Sequence, residues 1–331
     1  MKDSQRQHDR VWSIVLAGGN GERLKPAISQ WFGNQNPKQY CTFVGTRSML
    51  QHTIDRADRL AASDRRVTVI AQAHQHLAWE QMENRSSGTV ISQPVNRDTG
   101  PGIFLPLTHV RARDAKATVV IYPSDHFVCP EDRFLGIVGR AISATEWLTD
   151  RLVMLGVPPD RPEPDYGCIE LGRELGWASG HQIRGVKSFI EKPSSSDTMT
   201  KSRSGMCWNT LVFAAKVETL WKLGWQCIPE MMPLFERLGN AIGTSYEGTV
   251  LESIYGVMPA WNFSSHLLSR ATANLAVLQM AGVSWSDWGS PERISEDIHR
   301  FGLQPTFSLE NGRQMRKPLR LDIQPANAFQ P

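Results

Sequence analysis

The segment Leu16-Ala17-Gly18-Gly19-Asn20-Gly21-Glu22-Arg23-Leu24 carries the densest chemical signal in the chain. Glycines so closely spaced let consecutive backbone N–H groups turn toward one point, because glycine tolerates unusual φ values and admits close approach of a ligand. The chemistry that needs such a cradle is the binding of phosphate oxygens. The spacing is not GxxxxGK[ST], since no Lys-Ser/Thr pair follows, and it departs from GxGxxG because Leu24 stands where the third glycine belongs. Kinase-like and dinucleotide-oxidoreductase readings both weaken on that ground. Taken alone, the segment is equally a tight strand-to-helix turn.

A cradle works only if regular elements hold it. Residues 12–16 read as a buried strand entering the turn, and 48–60 as a helix with Met49, Leu50, Thr53, Ile54, Ala57 and Leu60 on one face. Residues 66–71, 89–92, 117–122 and 152–156 read as further strands, with helices over 102–114 and 132–150 between them. Pro101 falls near a helix start, where proline is tolerated. Such alternation predicts an α/β fold with a parallel sheet flanked by helices. Beyond 156 the pattern is more mixed. A proline-rich turn spans 158–164, strands are expected at 168–171, 186–190 and 210–214, and a polar connection over 193–204 leads into a helix. Helices follow from 217 onward and over 265–280. The organisation expected is a polar extension at 1–10, one domain at 11–298 and a C-terminal appendage at 299–331.

Bulk properties exclude several classes. At 331 residues with a formal net charge of +3 and no long basic block, the chain does not read as a nucleic-acid binder. No run reaches the roughly 18 apolar residues of a membrane span. The apolar stretch at 11–17 is too short for a signal segment, so a cytoplasmic location is expected. Cys41, Cys129, Cys168, Cys207 and Cys227 are odd in number and lack a CxxC pair, which suggests reduced thiols rather than disulfides or a zinc site. The pattern is compatible with a homo-oligomer.

The glycine turn does not stand alone. Pro37-Lys38-Gln39-Tyr40, Gln93-Pro94 through Arg97-Asp98-Thr99, Tyr122-Pro123-Ser124-Asp125-His126, Gly156-Val157 to Asp165-Tyr166-Gly167, Phe189-Ile190-Glu191-Lys192-Pro193, Trp208-Asn209 and Trp285-Ser286-Asp287-Trp288-Gly289-Ser290 follow in order. This ordered set resembles the sugar-phosphate nucleotidyltransferase family over residues 11–295, and within it is most similar to mannose-1-phosphate guanylyltransferases. The resemblance implies a Rossmann-like nucleotidyltransferase fold with a mixed, mostly parallel central sheet flanked by helices. The activity implied joins an NTP, GTP in particular, to a sugar 1-phosphate, mannose 1-phosphate in particular, giving GDP-mannose and pyrophosphate. In that reaction a phosphate oxygen of the sugar attacks the α-phosphorus in line with departing pyrophosphate. No protein nucleophile is required, and catalysis is mainly positioning and charge neutralisation.

Residue types match those needs. Arg23 offers a fork to the triphosphate end and Lys38 a compact charge near the reacting phosphates. The resemblance assigns Lys192 to the sugar 1-phosphate, and Tyr166, Gly167, Glu191 and Asn209 to sugar contacts, with Glu170 as an auxiliary. It assigns Gly18, Gly19, Gly21, Arg97 and Thr99 to the nucleotide. Mg²⁺ takes one or two carboxylates together with phosphate oxygens and waters, and Asp125 and Asp287 are its candidate ligands. His126 reads as structural, and Trp208 and Trp285 as wall and core. Departures touch specificity: Leu211 stands where the family commonly has glycine, Asp98 where Asn is common, Gly100 and Gly102 where Ala is common, and the 24–36 segment is longer. Another base or sugar remains open, as does a non-catalytic regulatory homologue. Retention of Arg23, Lys38, Asp125, Lys192 and Asp287 favours the enzyme.

Overall fold

The apolar run Val11–Ala17 becomes β1, the strand from which the sheet grows in both directions. It pairs in parallel with β2 (Arg66–Ala71) and with β4 (Thr118–Pro123), and β2 pairs in parallel with β3 (Thr89–Gln93). The computed structural model describes residues 10–83, 85, 88–161, 163–192 and 205–308. Helices cover both faces of these strands, which is why β2 and β4 are buried throughout and read as continuous apolar runs.

The sheet continues from β4 into β9 (Met206–Lys216), β6 (Leu152–Val157), β10 (Leu275–Gln279), β8 (His181–Ile190) and β7 (Cys168–Ala178). Strands β8 and β9 run against the others, so the nine-stranded sheet is mixed and mostly parallel, as the family resemblance implied. A separate two-stranded piece pairs β5 (Phe127–Cys129) with β11 (Ser284–Ser286) antiparallel. Helices α2 (Met49–Asp58), α3 (Gln75–Met82) and α5 (Glu131–Ala144) pack on one face of the sheet. Helices α4 (Thr99–Arg113), α6 (Val217–Cys227), α7 (Met232–Gly239) and α8 (Glu247–Val257) pack on the other. Ser48 starts α2 with a capping box, accepting from Gln51 N at 3.2 Å and donating its own N–H to Gln51 Oε1 at 3.0 Å.

The structure corrects the long helix expected over 265–280. The chain makes a short π-helical turn at Ser264–Leu268 and a 3₁₀ turn at Thr272–Asn274, then enters the sheet as β10 between β6 and β8. A short apolar run cannot distinguish buried strand from buried helix by periodicity alone, and pairing decides it. The helix expected over 132–150 ends at Ala144, where the Thr145 N–H closes the last turn. Helix α4 begins at Thr99, three residues earlier than expected, with Asp98 as its N-cap. The polar connection at 193–204 lies outside the described residues; from Met206 the chain already runs as β9, which takes in the strand expected at 210–214 and leaves no room for the helix expected ahead of it.

The lengthened 24–36 segment forms α1 (Lys25–Phe32), stopped by Gly33 in the left-handed region at φ 68°. It packs with α9 (Pro291–Phe301) in a third apolar cluster built from Leu24, Ile28, Phe43, Trp288, Ile294 and Phe307. Trp31 stacks on Phe307 with ring centroids 4.4 Å apart. Helix α9 runs through the boundary expected at 298, and Pro305 makes a β-bridge to Val44. Part of the expected appendage is therefore seated against α1 and the loop at Phe43 and Val44, while 309–331, like 1–9, lies outside the described residues.

Candidate active site

The glycine turn follows β1 and is pinned from beneath by Gln39, whose Nε2 donates to Ala17 O at 3.1 Å and Gly19 O at 2.8 Å. Gly21 adopts φ 64°, and a Cβ there would stand 2.9 Å from Lys38 N, so glycine is what lets the Pro37-Lys38 segment close on the turn. Lys38 is buried at 4% exposure. Its Nζ lies 2.9 Å from Asp125 Oδ2 and also donates to the main-chain carbonyl of Asp287. Asp125 lies just beyond β4, and Ser124 ties this crossing to Leu16 O through both its N–H, at 3.0 Å, and its hydroxyl, at 2.7 Å.

Asp287 comes from far along the chain, yet the β5–β11 pair brings it to Asp125, because Ser286 faces Phe127 in the ladder. Its carboxylate is heavily engaged. Oδ1 accepts from Tyr166 OH, Arg293 Nη1 and Gly289 N, each at 2.9 Å, and Oδ2 accepts from Arg23 Nη2 at 3.1 Å. Burial opposes ionisation of Asp287, but Lys38, Arg293 and Arg23 outweigh it and hold its pKa down at about 2. Burial likewise opposes ionisation of Asp125, and Lys38 and His126 hold its carboxyl below the ordinary range. His126 is kept neutral mainly by burial, its pKa lowered to about 4. Trp285 Nε1 donates to His126 Nδ1 at 3.2 Å, which assigns the ring proton to Nε2, 3.8 Å from Asp125 Oδ1.

A second group gathers Gly167, Glu191 and Asn209. Asn209 N donates to Gly167 O at 2.7 Å, and a Cβ on Gly167 would fall 2.8 Å from Glu191 Oε2. Burial pushes the Glu191 carboxyl up, while Lys192 and a hydrogen bond with Ser264 pull the other way. Lys192 is exposed at the end of β8 with φ 49°. Tyr166 packs edge-on to Trp208 and Trp285, with centroids 5.1 and 5.0 Å away, so these aromatics form the wall between the two groups. Glu170 is held by Lys187 at 2.6 Å and Ser188 at 2.7 Å along the β7–β8 pair.

Beside the glycine turn, Gly18 and Gly102 both face Gln93, whose amide would lie 3.2 and 3.4 Å from their added Cβ atoms. Gln93 is buried, and its Oε1 has no hydrogen-bond partner among the described residues. Gln93-Pro94 was legible as a motif, but no role followed from it. Arg97 donates from Nε and Nη2 to Tyr255 O at 3.2 and 3.0 Å, and Thr99 Oγ1 accepts from Phe263 N at 2.8 Å. Both side chains thereby dock the 97–99 segment against 255–263. Arg293, central to the Asp287 network, carried no motif signal.

Non-glycine residues with positive φ are Asp98, Ser179, Lys192, Leu211 and Trp288 among the described residues. Ser179 turns the β7–β8 hairpin; the other four flank the two groups of site residues. Leu211, where the family commonly has glycine, adopts φ 55° with its N–H held by Asn209 Oδ1 at 3.0 Å. The backbone at this position calls for glycine, and the chain retains the conformation with a bulky residue.

No cluster of three or more His, Cys, Asp or Glu side chains able to hold a metal ion is present among the described residues. Asp125 nevertheless fits as a carboxylate donor, since it is 38% exposed in its side chain and its Oδ1 lies 3.8 Å from the neutral His126. Asp287 offers Oδ2 on condition that Arg23, 61% exposed and able to swing, moves aside. The donor set is hard oxygen throughout, the kind that suits Mg²⁺ together with phosphate oxygens and waters.

A glycine turn at the end of a central parallel strand, two carboxylates and two cations thus converge at one edge of the α/β sheet. Residues 12–300 match the profile of the nucleotidyl transferase family, and the chain belongs to that family. It is 31% identical over 213 residues to a mannose-1-phosphate guanylyltransferase of Salmonella montevideo, covering 63% of this chain and 43% of that protein. It is 26% identical over 287 residues to the mannose-1-phosphate guanylyltransferase of Escherichia coli K12, covering 85% and 58%. The chain thus spans about half the length of the curated relatives it matches. A Thermus thermophilus crystal structure described as a mannose-1-phosphate geranyltransferase superposes with a TM-score of 0.73 at 25% identity, covering 86% of this chain and 79% of that one. Among the described residues no helix is long and apolar enough to cross a membrane.

Proposed function

We propose that the chain transfers a nucleotidyl group from an NTP, GTP by preference, to a sugar 1-phosphate, mannose 1-phosphate by preference. An oxygen of the sugar phosphate forms a bond to the α-phosphorus, the bond from that phosphorus to the β-phosphate oxygen breaks, and pyrophosphate leaves with its electron pair. The observation that carries this reading is the convergence of Arg23, Lys38, Asp125 and Asp287 beside the Gly167–Glu191–Asn209 group, so that cations for phosphates adjoin polar groups for hydroxyls.

Each residue then has a task. Backbone N–H groups of Gly18, Gly19 and Gly21 receive phosphate oxygens, and Arg23 turns from Asp287 to the triphosphate. Lys38, already desolvated, adds a fixed charge near the reacting phosphates without reorganisation. Glu191, Asn209 and the backbone at Gly167 read the sugar, and Lys192 takes its phosphate. Mg²⁺ held through Asp125 and Asp287 supplies charge neutralisation and orientation at the phosphates when bound. The five cysteines stand as thiols, which suits a reducing compartment, so the cytoplasm is the proposed location.

The test is a pyrophosphate-release screen of the common NTPs against a panel of sugar 1-phosphates, with and without Mg²⁺. GTP with mannose 1-phosphate is the pair expected to turn over fastest. Turnover with another base or sugar would overturn the specificity and leave the reaction class intact. Tight binding with no turnover across the panel would overturn the enzyme reading in favour of a sensor.

A further inference from the structure

Arg293, in the first turn of α9, is buried at 9% side-chain exposure. Its guanidinium meets three carboxylates: Nη2 lies 2.6 Å from Glu163 Oε1 and 3.2 Å from Asp165 Oδ2, Nε lies 3.1 Å from Glu163 Oε2, and Nη1 lies 2.9 Å from Asp287 Oδ1. The same group lies 4.8 Å from the ring centroid of Tyr166, whose hydroxyl donates to that same Asp287 oxygen. These partners raise the already high pKa of Arg293 against the opposing effect of burial. Only a planar fork with several fixed donors can serve three carboxylates and a ring face at once; a lysine ammonium cannot.

The partners belong to two different sides of the site. Glu163, Asp165 and Tyr166 lie on the β6–β7 connection that leads into Gly167, on the side that reads the sugar. Asp287 lies on the side of Lys38 and Arg23. Its two oxygens are unlike: Oδ1 is fixed by Arg293, Tyr166 and Gly289, whereas Oδ2 is held by Arg23, which is 61% exposed. Oδ1 is the anchored side and Oδ2 the exchangeable one.

We infer that Arg293 is a positioning residue for the transfer reaction. It holds Asp287 by Oδ1 so that Oδ2 faces the cleft, and with the same fork it locks the 163–167 connection in the shape that receives the sugar phosphate. The inference rests on the function proposed above. It separates from a plain structural ion pair because the loss must fall on sugar-phosphate use and on the Mg²⁺ requirement, while nucleotide affinity stays.

The experiment uses the full chain with Arg293→Lys and with the pair Arg293→Gln/Glu163→Gln, the latter removing a charge and a countercharge together so that less buried charge is left unpaired. In both, kcat is expected to fall and KM for mannose 1-phosphate to rise, each by about tenfold to a hundredfold, as a small misplacement of reacting groups does. The Mg²⁺ concentration for half-maximal rate should rise in parallel. Calorimetric binding of GTP alone should stay within about twofold, a difference well under 1.4 kcal/mol. Equal loss for both substrates, or rescue to wild-type rates by Arg293→Lys, would overturn the positioning role. Should circular dichroism find the paired variant unfolded, Arg293→Lys decides by the same readouts. Absence of wild-type turnover across the whole substrate panel would sink the function and this inference together, an outcome distinct from a working wild type with unaffected variants.

Discussion

The Lys38 ammonium lies 2.9 Å from Asp125 Oδ2 and at the same time donates to the main-chain carbonyl of Asp287. One buried cation thus fastens together two loops 162 positions apart in the sequence. Lys38→Met keeps the length of the side chain and removes the charge. Turnover is expected to drop by about 10² or more, as for loss of a preorganised charge partner, with kcat falling further than KM for either substrate rises. Steady-state pyrophosphate release checks this, and a variant within a fewfold of wild type would remove Lys38 from the reacting centre.

Asp125→Asn and Asp287→Asn should both lower turnover steeply and raise the Mg²⁺ requirement. If the two act on one ion, the double variant should be little worse than the poorer single one, because residues working as a unit are not additive. They differ in stability. Asp287 anchors Arg23, Arg293 and Tyr166, so its loss should lower the melting temperature more than loss of the half-exposed Asp125. Equal melting temperatures, or multiplicative losses in rate, would argue that the carboxylates serve separate purposes.

The sugar side can be perturbed without touching the triphosphate side. Lys192→Ala should weaken use of the sugar 1-phosphate by about 1.5–3 kcal/mol, the range for a charge-assisted contact. Gly167→Ala would drive a methyl to 2.8 Å from Glu191 Oε2 and 3.2 Å from Phe189 Cζ, at a cost of about 1–3 kcal/mol for overpacking. Both should raise KM for the sugar phosphate and leave GTP affinity measured by calorimetry near wild type. A matching loss of GTP affinity would contradict the division of the site.

Acid should destabilise the fold through buried histidines. Burial lowers the pKa of His109 to about 4 although Glu247 opposes it, and His52 and His126 are lowered to about 4 as well. The unfolded chain, with values near 6.5, binds these protons first as pH falls. Stability is therefore fully present above about pH 6.5 and is lost progressively toward pH 4. Each such group adds up to about 1.4 kcal/mol per pH unit within that window. Urea unfolding across the window should show the slope, and His109→Gln should flatten it by up to one proton's worth; an unchanged slope would count against a neutral buried His109.

Much of this protein was legible in the sequence because local rules and tertiary structure agreed. The strands at 12–16, 66–71, 117–122 and 152–156 were readable because strands covered on both faces demand apolar runs, and the half-buried edge strand at 89–92 from its β-branched residues. The glycine turn was readable because close backbone approach restricts the residue type, as Gly21 against Lys38 N illustrates. The ordered motifs gave the family. Sequence failed where the decision lay in pairing: 275–279 joined β6 and β8 as a strand although its apolar run suited a helix equally. It was silent on Arg293, since an arginine in a first helical turn reads as a solvated charge until Glu163 and Asp165 from a remote loop join the nearby Asp287 around it. Residue type and spacing set which groups were available for chemistry; the long-range β5–β11 pairing decided which of them meet, and the cations so gathered, against the effect of burial, keep the Asp125 and Asp287 carboxylates charged.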